Sequence, residues 1–522
     1  MEIEAKQSLD DHIKDSDSST KQQHEDLPPL PEAPEDWYRV VLWKGDGFDP
    51  LSWSNGKKFV SAAILIASNF VALLGSAMLS PGTAQVTEDF HVGTVVATLG
   101  AVSLYVLGFA TGPIFFGPMS EILGRKIPLV LAMFLYTCFS FAVATCKDIQ
   151  TFSITRFFMG VSGACILTLV PAGIGDIFPI KTRAFVMSIT VGTFMSGPMI
   201  GPLISGYVVH SYLRWRWTMY LNGIIGAFIG LLMIFFLPES FAPVIARNKA
   251  AKLRKDTGLW PLFAPIEREQ LEIGTVARKV LLRPFILLAT EPILLLISVY
   301  MGFVYSIEYL ALSAVPIVFG ETYGWPGGNQ FLPYIGMLTG DILITVVNIL
   351  IFNPLYLKRL ENRKQKIWPE GHLPAMLVTS VALPVGLFLF TWSGAYQVHW
   401  IVPTIGLGFV GCSVVGMFLG GISYIVECFT SVSASAVAAN VFTRSAIGAS
   451  MPLYAAIMFH NLGTQWAGTL LGCLGALLAP IPICFYLFGS KIRKWSKHTV
   501  KDEDVALAFK DIHEAPELKQ DN

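Results

Sequence analysis

Charged residues are scarce in this sequence. Asp, Glu, Lys and Arg together make up 14 % of the 522 residues, whereas hydrophobic residues make up 53 %. Soluble globular chains carry roughly 25 % charged residues, so the composition excludes an ordinary soluble protein and indicates a membrane protein. The formal net charge is zero, and no overall field would attract nucleic acid or an acidic partner.

Several functional motifs are also missing. No phosphate loop of the form Gly-x-x-x-x-Gly-Lys-Ser/Thr occurs, so the chain shows no means of using ATP. The seven cysteines lack paired spacing, which predicts free thiols rather than a disulfide framework or a metal site. No nucleophile with an accompanying base stands out either, so we expect neither an enzyme nor a bound cofactor.

Long apolar runs, in contrast, fill most of the chain. A helix needs about 20 residues to cross a hydrocarbon core of about 30 Å, and twelve runs of roughly that length can be marked. They cover residues 59–79, 94–116, 128–146, 151–175, 185–209, 218–237, 285–318, 330–353, 373–392, 400–426, 436–459 and 466–488. The sequence therefore predicts an all-α membrane protein with twelve transmembrane helices, and we expect the long seventh run to bend at Pro316.

A hydrophilic stretch at residues 238–284 separates the first six runs from the last six. This is the outline of two six-helix bundles, residues 57–237 and 285–489, joined by a linker. The beginning of the chain is acidic and then proline-rich, so residues 1–56 are predicted to form a disordered and juxtamembrane N-terminal region. Residues 490–522 are expected to form a C-terminal tail.

Lys and Arg cluster in the connections that follow even-numbered runs. These cations are Arg125, Lys126, Lys181, Arg183, a group from Arg247 to Arg283, and Lys358, Arg359, Arg363, Lys364 and Lys366. Only Lys147, Arg214 and Arg216 follow odd-numbered runs. Because Lys and Arg in short connections stay preferentially on the cytoplasmic side, both termini and the linker are predicted to be cytosolic.

Three stretches stand out as motifs. GPMSEILGRK follows the second run, RFFMGVSGA lies early in the fourth, and GTFMSGPMIGPLISG lies in the fifth. In the last of these, Gly197 and Gly201 lie about one helical turn apart on one face, which allows close helix contact, and the two prolines bend the segment.

The first stretch resembles the loop signature of the major facilitator superfamily, Gly-x-x-x-Asp-Arg-x-Gly-Arg-Lys. Glu121 stands at the acidic position, and Ile122 stands where the first Arg is common. The other matching positions are Gly117, Gly124, Arg125 and Lys126. The resemblance implies that Glu121 helps to latch the two bundles together in one state of a transport cycle.

The other two stretches extend the resemblance. Positions of the superfamily's fourth-helix signature and fifth-helix antiporter signature are matched by Arg156, Gly160 and Gly163, and by Gly192, Gly197, Pro198 and Gly201. Shorter stretches such as DPLSWS and LPESFAP are similar to those of the fungal twelve-span drug:proton antiporters, which include polyamine and multidrug exporters. The resemblance implies the two-bundle major facilitator fold and export rather than uptake.

A few charges lie inside the predicted spans. An isolated charge at the bilayer centre costs roughly 2.5–3.5 kcal/mol, so each one needs a partner, a cavity or a function. Glu308 in the seventh run is our first candidate for proton exchange or recognition of a cationic substrate, and Asp341 in the eighth is the second. Low-dielectric surroundings favour the neutral carboxyl, which can then accept a proton on one side and release it on the other. The alternative is that each carboxyl pairs with a buried donor or reaches an interface.

Neighbouring residues suggest further roles. Tyr305 and Tyr309 share a helical face beside Glu308 and are candidates for a weakly polar cavity wall, with packing or lipid contact as the alternative. Glu427 at the end of the tenth run and Arg444 in the eleventh are candidates for gating. The first run contains no ionisable residue, which excludes proton coupling through an acid there.

These observations predict a secondary active transporter. We expect a proton-coupled antiporter that exports small amphipathic compounds, such as drugs, polyamines or a fungal secondary metabolite, by alternating access. The alternatives are a nutrient importer or facilitator of the same fold, and a transporter-like receptor. The expected partners of this chain are the lipid bilayer, the substrate and protons, without nucleic acid. We expect the protein to be monomeric and its transport to be driven by the proton gradient. The resemblance favours the plasma membrane, with the vacuolar membrane as the alternative.

Overall fold

The structure is a computed structural model. It describes residues 46–268, 273–362 and 368–493, together with residues 40, 42, 496 and 499. The described residues form helices and connections, without a β-strand. The long helices of the N-terminal half are α1 (Asn55–Ala77), α2 (Thr94–Thr98, Leu99–Ser103 and Leu104–Leu123 in succession), α3 (Lys126–Thr145), α4 (Ile149–Ile177), α5 (Ile180–Val209) and α6 (Arg216–Phe236).

The C-terminal half repeats this arrangement. Its long helices are α7 (Pro292–Val315, continued by Pro316–Thr322), α8 (Tyr334–Val347, Asn348–Phe352 and Asn353–Asn362 in succession), α9 (Leu373–Ala395), α10 (Ile401–Cys428), α11 (Ser433–Leu462) and α12 (Thr464–Leu478 and Pro480–Arg493). Three segments, Leu99–Ser103, Pro316–Thr322 and Asn348–Phe352, are wider π-helical turns, which are rare and occur frequently at functional sites.

Eleven of the described helical stretches are long and apolar enough to cross a membrane. Helix α11 is also long, with 30 residues, but it carries polar side chains such as Asn440, Arg444 and Ser445 in its first half. These side chains are buried because α11 packs against α7 and against α2 of the other half. The predicted all-α membrane fold is thereby confirmed, with α11 as the most polar of its long helices.

Each half is a bundle with its own contacts. In the N-terminal bundle α2 packs on α4, α3 on α4 and α6, and α1 on α5; in the C-terminal bundle α7 packs on α11, α8 on α10, and α9 on α10 and α12. The two bundles meet mainly where α2 faces α11 and where α5 faces α8. A site between the bundles is therefore lined by these helices and by α1 and α7.

The seventh apolar run is interrupted earlier than the sequence predicts. Glu291 has an extended backbone, with φ −114° and ψ 95°, and separates the helix Ile273–Thr290 from α7. The cause is Pro292, because a proline disfavours helical geometry in the preceding residue. At Pro316, where we expected a bend, the helix continues as a π-helical turn.

The linker contains helices Ala242–Thr257 and Pro265–Arg268. Part of the N-terminal region packs on it: the Val40 amide donates to the Phe263 carbonyl at 2.8 Å, and the Lys249 ammonium lies 2.5 Å from the Asp46 carboxylate. At the other terminus, Arg493 pairs with Glu370 and the Ser496 hydroxyl donates to Glu291. Residues 1–39 of the predicted N-terminal region and most of the C-terminal tail lie outside the described residues.

The long helices alternate in direction, so their connections fall at two ends of the molecule. The connections after even-numbered helices lie at what we name the Arg125 end, which also carries Glu239 and Glu427. The connections after odd-numbered helices lie at the Asn329 end, which also carries Ser80 and His210.

Candidate functional site

Glu308 lies at the centre of the candidate site. This residue of α7 is only 1 % exposed, and neither oxygen of its carboxyl group has a hydrogen-bond partner among the described residues. A polar group buried without a partner is costly, and most such groups in folded proteins are satisfied. An unsatisfied carboxyl at this position therefore suits a group that binds a proton or a ligand during function.

Arg444 of α11 is a buried cation near this carboxyl group. Its guanidinium lies 5.0 Å from the centre of the Tyr305 ring and 4.8 Å from that of Phe418. Two of its nitrogens, Nε and Nη1, also lack hydrogen-bond partners within the described part of the chain. Arg444 acts on Glu308 electrostatically but does not form a direct ion pair with it, so stacking on aromatic rings carries part of its stabilisation.

Asp341 of α8 brings a second carboxyl group to the boundary between the bundles. It is 2 % exposed, and its Oδ1 accepts a hydrogen bond from the Thr345 hydroxyl at 3.3 Å. Gly192 of α5 faces this pair: a methyl group on Gly192 would lie 2.6 Å from Thr345 Oγ1 and 3.3 Å from Asp341 Oδ1. The first glycine of the predicted antiporter motif therefore gives α8 the space it needs.

A chain of hydroxyl groups joins the bundles beside Glu308. The hydroxyl groups of Tyr305 and Tyr309 are 3.1 Å apart, and the Tyr309 hydroxyl donates to Ser76 Oγ of α1 at 3.2 Å. Ser76 in turn donates to the carbonyl of Leu73 at 2.7 Å. The two tyrosines predicted to line a cavity wall thus sit at the site, where they also connect the two bundles.

Arg156 of α4 is the buried cation of the N-terminal bundle. It donates to the Gly75 carbonyl of α1 at 3.0 Å and to the Ala101 carbonyl in the π-helical turn of α2, and it lies 4.5 Å from the Tyr105 ring centre. Gly160 packs directly against the carbonyl of Tyr105. Arg156 therefore ties three helices together, an arrangement that indicates a structural role.

The remaining motif glycines pack against their neighbours. Gly163 faces Tyr105 and Phe109, and a methyl group on it would lie 3.1 Å from each side chain. On α5, a methyl group on Gly197 would lie 2.9 Å from the Leu74 amide nitrogen, and one on Gly201 would lie 3.1 Å from the Leu74 carbonyl oxygen. These glycines, with Pro198 inside the helix, let α5 approach α1 closely.

The loop motif is held by an acid outside it. One Glu239 oxygen accepts from the Arg125 amide at 2.8 Å and the other from the Lys126 amide at 3.0 Å. Negative charge is favoured at such a helix start, here that of α3. Gly124 has φ 89° and lies against the same carboxylate. Its positive φ and the lack of space explain the glycine.

The side chains of this motif complete the network. Arg125 Nε lies 3.3 Å from Asp176 Oδ2, and Lys126 Nζ donates to the Ile234 carbonyl at 3.2 Å. Glu121 is exposed on the last turn of α2, while Gly117 leaves open space around its Cα. Asp176 and Ile234 both belong to the N-terminal bundle, so a latch between the bundles through Glu121 stays a prediction.

Glu427 occupies the place at the end of α10 that Asp176 occupies at the end of α4. Its Oε1 accepts from the Tyr356 hydroxyl at 2.7 Å and contacts His372 Nε2 at 2.8 Å. The Tyr356 and His372 rings lie 4.0 Å apart. Glu427 therefore meets the connection between α8 and α9, and Arg444 lies elsewhere, beside Glu308.

Contacts between the bundles occur on both sides of the site. At the Asn329 end, Ser80 Oγ donates to the Leu312 carbonyl at 3.3 Å, and the Tyr207 hydroxyl donates to Asn329 Oδ1 at 2.9 Å. Towards the Arg125 end, Asn348 donates to Ser188. The group of Glu308, Asp341 and Arg444 thus lies between two sets of cross-bundle contacts.

Comparisons with known proteins agree with this architecture. A family model described as Major Facilitator Superfamily matches residues 65–452. The major facilitator superfamily multidrug transporter FLU1 of Candida albicans is 42 % identical over 463 residues, which is 88 % of this chain and 76 % of the relative. The multidrug transporter TPO1_1 of Candida glabrata is 39 % identical over 477 residues, 90 % of this chain and 83 % of the relative.

Among solved structures, the proton:xylose symporter XylE shows the same fold. It superposes with a TM-score of 0.61 at 15 % identity, covering 87 % of this chain and 100 % of that chain. The likeness to fungal multidrug transporters suggested by the short motifs is confirmed by these relatives. The chain is therefore a multi-pass membrane transporter that belongs to the major facilitator superfamily.

Proposed function

We propose that this protein is a proton-coupled antiporter that exports small amphipathic compounds. The observation that carries the proposal is the buried carboxyl group of Glu308, which lies between two helical bundles without a hydrogen-bond partner among the described residues and close to Arg444 and Asp341. Two relatives are named as multidrug transporters, which supports an amphipathic substrate. Drugs, polyamines and a fungal secondary metabolite are the substrate classes we propose.

The same carboxyl group would exchange a proton for a substrate. When Glu308 is neutral, it costs little to keep in this apolar setting; when it is ionised, it attracts a cation or a polar substrate group. Rocking of the two bundles would expose the site first to one end and then to the other. A proton that moves down a membrane potential releases roughly 2.3 kcal/mol per 100 mV, which is enough to drive export against a gradient.

We place the protein in the plasma membrane with both termini in the cytosol. The Arg125 end carries most of the Lys and Arg residues of the connections, and such residues favour the cytoplasmic side. Protons would then enter from the Asn329 end, and substrate would leave there. The vacuolar membrane is the alternative location, with the same orientation towards the cytosol.

Transport in reconstituted vesicles tests this proposal. Purified protein in liposomes is given an inward or outward pH gradient, and uptake of rhodamine 6G, spermidine and a panel of fungicides is measured. We expect gradient-driven accumulation with the native chain. Glu308→Gln, which mimics the neutral side chain, should lose gradient-driven accumulation and keep exchange of labelled for unlabelled substrate.

Glu88→Gln is the matched control, because the Glu88 side chain is 74 % exposed and lies at the Asn329 end near Arg214. It should transport as the native chain does. Gradient-driven accumulation that is unchanged in Glu308→Gln would contradict the coupling role. Uptake that ignores the gradient in the native chain would instead indicate a facilitator.

A further inference from the structure

Helices α5 and α8 are joined towards the Arg125 end by three uncharged side chains. The side-chain amide of Asn348 donates to Ser188 Oγ at 2.9 Å, and that of Asn353 donates to the same oxygen at 2.9 Å and to the Ala184 carbonyl at 3.2 Å. The Ser188 hydroxyl donates its own proton to the Ala184 carbonyl at 2.8 Å. One hydroxyl of the N-terminal bundle therefore accepts from two amides of the C-terminal bundle. We name Ser188, Asn348 and Asn353 the Ser188 clasp.

The π-helical turn of α8 makes this convergence geometrically achievable. Residues five apart on a regular α-helix point about 140° away from each other, since each residue turns the helix by about 100°. Between Asn348 and Asn353 the helix is wider, and the backbone N–H of Asn353 donates to the backbone carbonyl of Asn348. This i to i+5 bond brings the two side chains towards the same face. Without the π-helical turn, one of the amides would face away from Ser188.

The position of the Ser188 clasp relates it to the site. Ser188 lies one helical turn before Gly192 on α5, and Asn348 lies two turns after Asp341 on α8. Gly192 and Asp341 face each other at the boundary between the bundles. The Ser188 clasp therefore lies between this part of the site and the Arg125 end, where separation of α5 from α8 would admit water or substrate.

The chemistry of the Ser188 clasp suits repeated opening. Ser188 is 3 % exposed and Asn348 is 6 % exposed, so the hydrogen bond between them is shielded from solvent, yet no charge has to be desolvated when the Ser188 clasp forms. Individual hydrogen bonds between membrane helices are weak. A few of them hold two helices together without locking them permanently.

We propose that the Ser188 clasp is the gate that closes the pathway at the Arg125 end, and that the π-helical turn of α8 is its hinge. The proposal rests on the alternating-access part of the proposed function, and it is independent of the substrate and of proton coupling. It assigns a role to three residues that lie outside the sequence motifs.

Thiol accessibility tests the gate without any substrate. The protein is placed in nanodiscs, Thr345→Cys supplies a reporter thiol beside Gly192, and its alkylation by N-ethylmaleimide is followed by mass spectrometry that resolves each cysteine. Adding Ser188→Ala should raise the alkylation rate roughly eight-fold, because two cross-bundle hydrogen bonds of the average size measured between membrane helices are lost. Asn353→Leu, made on the opposite helix, should raise it in the same direction.

Ser205→Ala is the matched control. Ser205 is a fully buried serine of the same helix, and its hydroxyl donates to the Gly201 carbonyl at 2.7 Å within α5. Its variant should alkylate at the parent rate. An unchanged rate in both Ser188→Ala and Asn353→Leu, or an equal rise in Ser205→Ala, would overturn the proposal. Because the reporter needs neither substrate nor a pH gradient, failure of the gate is distinguishable from failure of the export proposal.

Discussion

Asp176 and Glu427 occupy the same place in the two bundles. Each is the next-to-last residue of the fourth helix of its half, α4 ending at Ile177 and α10 at Cys428. Asp176 meets Arg125, which follows α2, and Glu427 meets Tyr356 and His372, on either side of the connection after α8. The repeat between the two halves is therefore visible as one carboxylate at this position in each bundle, which contacts residues at the connection between the second and third helices.

Glu239 should contribute more to stability than the acidic residue of the loop motif itself. It accepts from the amides of Arg125 and Lys126 and from those of Ser240 and Phe241. Hydrogen bonds to a charged group are worth about 1.5–3 kcal/mol, so Glu239→Ala is expected to lower the free energy of unfolding by about 2 kcal/mol. Thermal unfolding in detergent measures the effect.

Glu121→Ala provides the comparison for that experiment, since Glu121 is exposed and surface charges contribute little. Its melting temperature should stay within about one degree of the native value, because the effect expected of a surface substitution is within about 0.5 kcal/mol. Equal losses in the two variants would show that Glu239 has no special role in holding the loop.

Gly192→Ala is expected to slow transport. The added methyl group would lie 2.6 Å from Thr345 Oγ1, closer than atoms can pack, so the Thr345 side chain or the helices α5 and α8 must shift at the site. Overpacking costs about 1–3 kcal/mol, which corresponds to a rate lowered roughly 5-fold to 150-fold. Gly56→Ala in α1 is the control, because a methyl group there meets no atom within 4 Å beyond its chain neighbours and its own helix backbone. Partial recovery in Gly192→Ala combined with Thr345→Ala would confirm the steric cause; equal rates in both single variants would contradict it.

Arg156→Lys should destabilise the N-terminal bundle although the charge is kept. The guanidinium reaches the Gly75 and Ala101 carbonyls with two different nitrogens, and a lysine cannot span both. We expect a loss of about 2 kcal/mol in the free energy of unfolding. Arg214→Lys, at a side chain that is 51 % exposed, should change it by less than about 0.5 kcal/mol. Equal unfolding curves for the two variants would contradict the structural role of Arg156.

The contact between the N-terminal region and the linker should weaken at low pH. Burial raises the pKa of Asp46, but the hydrogen bonds from Lys249 and from the Phe48 amide outweigh it, so the pKa lies below its ordinary value of 3.8. A lowered pKa in the folded state adds stability that is complete well above pH 3.8 and is lost as the pH falls through the lower folded value.

Limited proteolysis of the linker across that pH range measures the effect, with an acid-active protease. Cleavage near Lys249 in the native chain should accelerate as the pH falls below 3.8. Asp46→Asn should be cut faster than the native chain at pH values above 3.8 and should show a smaller change as the pH falls. A native chain whose cleavage rate changes no more than that of Asp46→Asn would refute the role of this ion pair.

Apolar runs predicted the helices because a bilayer imposes length and composition on each one. The interruption at Glu291 was predictable in principle from Pro292, yet the continuous hydrophobicity of that run concealed it. Glu308 and Asp341 were found because charge is expensive in a membrane. The proximity of Glu308 to Asp341 and to Arg444 depends on tertiary packing and has no signature in the order of residues.

Other features could not be predicted from local pattern. Glu239 belongs to the LPESFAP stretch, but its partners Arg125 and Lys126 lie more than 100 residues earlier in the chain. Ser188, Asn348 and Asn353 are ordinary polar residues until a π-helical turn directs two of them to one face. Helix irregularities and contacts distant in sequence therefore decide which polar residues act together.

The anchoring of Arg493 and Ser496 bears on how the protein should be prepared. Arg493 pairs with Glu370, and Ser496 pairs with Glu291. A shortened chain that ends before Arg493 would therefore lack the guanidinium that pairs with the buried Glu370. A shortened version for crystallisation should keep Thr499, whose hydroxyl donates to the Arg493 carbonyl at 2.9 Å. A fluorescent or affinity tag belongs beyond that point.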